Sequence, residues 1–123
     1  EQALAEVKNG KKYSHWIWYI FPQLKGLGMS YNSQYYGISS KEKAEAYLAH
    51  SVLGVRLREI TSAFLQLKGK AAVDVFGGLD TMKVLSCMTL FNEVASDDLF
   101  QQVIDLYFQG RPDETTKKIL NKY

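Results

Sequence analysis

The feature that most constrains this chain is the run Trp16-Ile17-Trp18-Tyr19-Ile20-Phe21, which puts four aromatic rings and two isoleucines into six consecutive positions. No other stretch can bury so much apolar surface in so few residues. Full burial of one such side chain contributes roughly 1.5–3 kcal/mol, so the segment is expected at the centre of the fold. Groups that core packing does not require bracket it: Ser14 and His15 before, Gln23 and Lys25 after. A polar rim around an aromatic plug suits a ligand pocket, and it equally suits a buried helix emerging into solvent. Six apolar residues in a row fit either a doubly buried strand or a short buried helix. Helix is favoured because nothing else in the chain offers a strand a partner. Pro22 then closes it, and Gly26 and Gly28 let the backbone approach a neighbour closely.

The rest of the chain carries one helical signal after another. Residues 1–9 are good helix formers with Leu4 and Val7 as an apolar stripe, and Gly10 is a natural C-terminal cap. Ser39 and Glu42 stand in the reciprocal positions of a capping box and open a helix to about His50. Val52, Leu53, Leu57, Ile60, Phe64 and Leu67 recur at spacings of three to four, which predicts an amphipathic helix ended by Gly69. A short apolar helix from Ala71 to Phe76 stops at Gly77-Gly78. Asp80 or Thr81 is expected to cap the next, which presents Met82, Leu85, Met88, Leu90, Phe91 and Val94. Ser96 with Asp97-Asp98 opens another, with Leu99, Phe100, Val103, Ile104, Leu106, Tyr107 and Phe108 as its apolar set and Gly110 at its close. Pro112 suits the first turn of a last helix that contributes Ile119 and Leu120. The pattern predicts an all-α fold, a single compact domain over 1–123 of about seven to eight short helices.

Composition narrows the function classes. The chain has 123 residues, 46% hydrophobic and 23% charged, with a net charge of +2, too small to imply nucleic acid or an anionic membrane as partner. One cysteine, Cys87, excludes an internal disulfide and any multi-cysteine zinc site, and a reducing, cytoplasmic setting is expected. No apolar run approaches the roughly 20 residues that span a bilayer. No cofactor is called for, and metal-ligand spacing such as His-x-x-x-His is absent.

The order and spacing of several elements resemble one family over nearly the whole chain. They are Ser14-His15-Trp16, Phe21-Pro22-Gln23-Leu24, Gly26-Leu27-Gly28, Tyr36-Gly37-Ile38, Ala46-Tyr47-Leu48, Leu53-Gly54 with Arg56-Leu57, and Phe76-Gly77. They continue with Asp80, Lys83, the run Ser86-Cys87-Met88-Thr89-Leu90-Phe91, then Phe108, Gly110-Arg111 and Asp113 with Thr115. This pattern is similar to the bacterial and lower-eukaryotic DUF1810 family, a domain of unknown function. The resemblance implies a compact all-α fold and brings no established activity. It also implies more residues before Glu1, completing the first helix, and a second serine in many relatives where this chain has Cys87. Some members carry the label calpastatin, a protease inhibitor, but no inhibitor repeat is present here. A looser similarity in helical layout is to the NADAR hydrolases of ADP-ribose and phosphoribosyl compounds.

The candidate site residues have two readings each. His15, with a pKa near working pH, reads as a general acid/base or as a histidine bonded to a nearby carbonyl. Trp16 and Trp18 cannot share one helix face, so one can stack on a flat ligand, or both are core. Lys83 shares a helical side with Asp80 and Ser86, and Thr89 continues that strip. Such a strip is an anchor for phosphate or carboxylate, or a surface ion pair. Gln23 can read a polar ligand edge with donor and acceptor together, or anchor its loop. Ser14 caps the aromatic segment or orients a ligand. Arg56 and Arg111 are further anion holders, the latter alternatively closing a turn with Asp113. His50 is expected as a helix-end cap, and Cys87 as a small core residue. Assembled, these residues predict a pocket between the aromatic segment and the helix from Asp80 to Phe91. That pocket would take an anionic, nucleotide-like small molecule, with His15 as acid/base for metal-independent hydrolysis. The alternative is a non-catalytic protein-interaction module presenting Tyr31, Tyr35 and Tyr36.

Overall fold

The computed structural model describes residues 2–8, 10, 21, 38, 40–67 and 72–120. The fold is all-α. Among the described residues there are six helices: α1 (Gln2–Lys8), α2 (Lys41–Ala49), α3 (Leu53–Leu65), α4 (Ala72–Asn92), α5 (Leu99–Phe108) and α6 (Glu114–Leu120). None is long and apolar enough to cross a membrane.

The element around which these helices pack is the second half of α4. Every residue from Val84 to Leu90, together with Phe91, is buried, and α2, α5 and α6 all pack against α4. A helix buried on all sides shows no amphipathic stripe, which is why Ser86, Cys87 and Thr89 sit inside alongside Leu85, Met88, Leu90 and Phe91. α3 packs on α1, α2 and α5, with Leu57, Ile60 and Phe64 as its buried stripe. Of the aromatic run only Phe21 is described. It is fully buried and meets Phe76 edge to face at 5.7 Å. Phe76 in turn packs edge-on against Phe64, and Phe64 stacks on Tyr107 with 4.1 Å between ring centroids. Such pairs are worth about 0.5–1.5 kcal/mol each beyond their area burial, and together they join four separate parts of the chain.

Several helix ends differ from the sequence-based expectation. The cap of α2 is Ser40, whose hydroxyl accepts from the Lys43 N–H. The residue three along from this cap is therefore Lys43 rather than Glu42, and Ser39 lies outside the described residues. Val52 and Leu53 are 45% and 39% exposed rather than core, because α3 begins only at Leu53 and the apolar period was read through the corner before it. His50 is the C-cap of α2, as expected, its N–H bonding to the Tyr47 carbonyl. Its Nδ1 also accepts from the Val52 and Leu53 N–H groups, so the same residue caps the following helix.

Gly77 breaks α4, with φ 80° and ψ 165° inside an otherwise helical run, a backbone that side-chain-bearing residues rarely adopt. The stop expected at Gly77-Gly78 is there, but the following helix starts immediately. Asp80 and Thr81 therefore lie within it rather than capping it, and the Thr81 hydroxyl donates back to the Gly77 carbonyl. Met82 is 56% exposed. At the start of α5, Asp98 occupies the cap position without a side-chain bond to the backbone, while Asp97 pairs with Arg58. α5 ends one residue before Gly110, at Gln109, which takes left-handed backbone. Pro112 lies outside α6, whose cap is Asp113. Gly69 lies outside the described residues.

Candidate functional site

The strip Lys83–Ser86–Thr89 lies on one side of α4, as its spacing of three predicts. The Lys83 ammonium stands 3.6 Å from a carboxylate oxygen of Asp80, and both side chains remain partly exposed. One turn on, the two hydroxyls are committed to the chain itself. Ser86 Oγ lies 3.1 Å from both the Met82 carbonyl and Asp113 Oδ2. Thr89 Oγ1 donates to the Leu85 carbonyl at 2.8 Å and accepts the Asp113 N–H at 2.9 Å. Asp113 Oδ2 also accepts from the Thr116 N–H and hydroxyl. One carboxylate thus caps α6 and clasps it to α4.

The clasp fixes Asp113 over the Ser86–Thr89 turn, with a rise of about 4.5 Å along α4 between Lys83 and Ser86. Arg111 is exposed. Its expected pairing with Asp113 does not form; the Asp113 carboxylate is bonded to Ser86 and Thr116 instead. Arg56 stands on the exposed face of α3, a helix that packs on α1, α2 and α5, and so is carried by a different part of the molecule. Ser14, His15, Trp16, Trp18 and Gln23 lie outside the described residues, as do Tyr31, Tyr35 and Tyr36.

Burial raises the pKa of three groups, Cys87, Tyr47 and Tyr107. Burial pushes the Cys87 thiol well above its ordinary value, so it is a packed core group rather than a nucleophile. Burial, with a smaller contribution from Cys87, raises the Tyr47 phenol to about 12. No group of three or more His, Cys, Asp or Glu side chains among the described residues is arranged to hold a metal ion.

Sequence reasoning missed two residues that organise this architecture. Asp113 is expected as half of a turn with Arg111, although an Asp directly before a helical stretch is itself a capping signal. Tyr107 was read as core. Its hydroxyl also reaches the Phe64 and Leu67 carbonyls at 2.7 and 2.6 Å, holding the end of α3. Beside it, Leu65, Gln66, Gln102, Asp105 and Leu106 line an open groove of about 510 Å³, which contains none of the predicted site residues.

A family model described as "Protein of unknown function (DUF1810)" matches residues 1–120. Among solved structures, the chain is similar to the conserved hypothetical protein Rv1873 from Mycobacterium tuberculosis, with 40% sequence identity and a TM-score of 0.94, covering 97% of this chain and 86% of that one. No curated protein matches.

Proposed function

Since the chain belongs to the DUF1810 family, whose function is unknown, we propose from its own residues that it is a cytoplasmic protein binding an anionic, nucleotide-like small molecule between the aromatic segment and α4. Lys83 and Arg111 hold the anion, with Arg56 as a further cation at the margin. Trp16 stacks on the flat part of the ligand, and Ser14 and Gln23 orient its polar edge. Ser86 and Thr89 shape the floor of that strip, their buried hydroxyls bonded to Met82, Leu85 and Asp113 rather than offered to the ligand. His15 acts as acid/base in a metal-independent hydrolysis, loosely analogous to the chemistry of NADAR enzymes on ADP-ribose. The observation that carries this reading is the edge-to-face contact of Phe21 with Phe76. It ties the end of the aromatic run to the residue just before Gly77, where the helix bearing Lys83 begins. The loose Asp80–Lys83 pair adds support, because an ammonium 3.6 Å from its carboxylate gives up little on turning to a ligand.

A melting screen with nucleotides, ADP-ribose and sugar phosphates tests it, since a ligand at about 100 times its Kd stabilises by roughly 2.7 kcal/mol. At least one phosphate-bearing compound should raise the Tm. Lys83→Ala and Arg111→Ala should abolish that rise while leaving the ligand-free Tm nearly unchanged. His15→Ala should retain binding and lose turnover. A screen with no responding compound, or variants that respond like the parent, would overturn the reading.

A further inference from the structure

α3 and α5 run in the same direction. Arg58, early in α3, meets Asp97 and the ring of Phe100 at the start of α5, and Tyr107 near the end of α5 meets Phe64 and Leu67 at the end of α3. Both negative helix ends therefore emerge on one side of the molecule. Neither helix has a basic residue in its last turn, where one would offset the dipole. Between these ends lies the groove lined by Leu65, Gln66, Gln102, Asp105 and Leu106. Leu106 is 48% exposed, and Asp105 is exposed with only the neutral Gln101 amide donating to it among the described residues.

From Val84 to Gly110 there is no Lys, Arg or His, and of the four acids in that stretch (Glu93, Asp97, Asp98 and Asp105) it is Asp105 that lines the groove. Asp97 is neutralised by Arg58; Asp98 and Asp105 are not paired with a cation among the described residues. Along α5, Gln102, Asp105 and Leu106 stand at i, i+3 and i+4, one face of the helix. One face of α5 and the end of α3 thus border an open trough that offers two leucines and one carboxylate, a surface on which an amphipathic helix can rest.

We propose that this groove docks a basic amphipathic helix from a partner protein. Leucine-type side chains of the partner rest on Leu65 and Leu106, and a Lys or Arg reaches Asp105 and the end of α3. The site is separate from the small-molecule reading and does not rest on it.

The probe is a fluorescein-labelled helical peptide of about 18 residues, long enough to hold helix when docked, made of Leu at helical spacing and Lys elsewhere. Its anisotropy is titrated with the full chain at physiological salt. Asp105→Asn and Leu106→Ser should each weaken binding about fivefold or more, as loss of a docking contact does. Glu45→Gln, which removes an acid on α2, should leave it unchanged, and a peptide with Glu in place of Lys should not bind. Equal weakening by Asp105→Asn and Glu45→Gln would reduce the effect to bulk charge and overturn the proposal. So would full displacement of the peptide by spermidine at the same concentration, which would make the groove a site for small amines. Self-association of the chain that is lost in Asp105→Asn, without peptide binding, would give the groove to a second copy instead. Asp105 and Leu106 are both exposed, and a melting curve for each variant separates lost docking from lost folding.

Discussion

At the scale of single residues, the sharpest departures from pattern are positions where the backbone or a hydroxyl does something its residue type does not advertise. Gln109 ends α5 with φ 57° and ψ 33°, left-handed backbone that costs a side-chain-bearing residue about 1 kcal/mol relative to glycine. Its N–H and that of Gly110 both bond to the Ile104 carbonyl, so the turn is held by bonds that a glycine there would keep. Gln109→Gly should therefore stabilise the fold by about 0.5–1 kcal/mol, less the extra freedom it gives the unfolded chain, seen as a rise of a few degrees in Tm. A lower Tm would mean that the Gln109 side chain contributes more than its backbone costs. The helix end near Gly110 was legible in the sequence, but the left-handed residue before it was not, since glutamine carries no signal for it. His50 makes the same point: its acceptor role follows from which N–H groups the corner leaves open, and only the folded corner reveals them.

At the scale of helices, local pairings were readable and distant ones were not. The Lys83–Asp80 pair follows from a spacing of three along one helix and is present. The partners of Ser86 and Thr89 lie 27 and 24 residues away at Asp113, a distance no periodicity encodes. Likewise the three-to-four spacing includes Val52 and Leu53, yet both lie exposed at the corner where α3 begins. What actually sets that corner is Gly54. A Cβ there would lie 1.9 Å from the Leu48 carbonyl oxygen, backbone that cannot yield without separating α2 from α3. Gly54→Ala should cost at least the 1–3 kcal/mol typical of overpacking, despite alanine's better helix propensity. Urea unfolding should register this as a lower midpoint with an unchanged slope. A neutral result would show that the α2–α3 corner relaxes freely.

For the whole molecule, the all-α class and most helices were legible because glycines, caps and apolar spacing agree with one another. The centre was harder. The aromatic run is the densest apolar stretch, yet among the described residues the stretch buried on every side is the second half of α4, Val84 to Phe91, whose Ser86, Cys87 and Thr89 look too polar for that role. Burying Cys87 and Tyr47 together makes the fold sensitive to alkali. In the folded chain the Tyr47 phenol is raised to about 12, whereas in the unfolded chain it ionises near 10. Below pH 10 both states keep the proton and the contribution is complete. Between pH 10 and 12 the unfolded state releases its proton while the folded state retains it, so stability falls as pH rises. The slope for this group stays below the ceiling of about 1.4 kcal/mol per pH unit, because the ring is only partly buried. Cys87 is shifted in the same direction, so the decline begins nearer pH 9, and Tyr107, also raised by burial, steepens it above 10. Tyr47→Phe keeps the ring against Phe91 and removes only the titrating proton. Denaturant titrations at pH 8, 10 and 11 should therefore show the parent losing more stability than Tyr47→Phe between the last two points and no more between the first two. Parallel pH profiles for the two proteins would mean that the phenol reaches water in the folded state, and that the α2–α4 contact is looser than its ring packing implies.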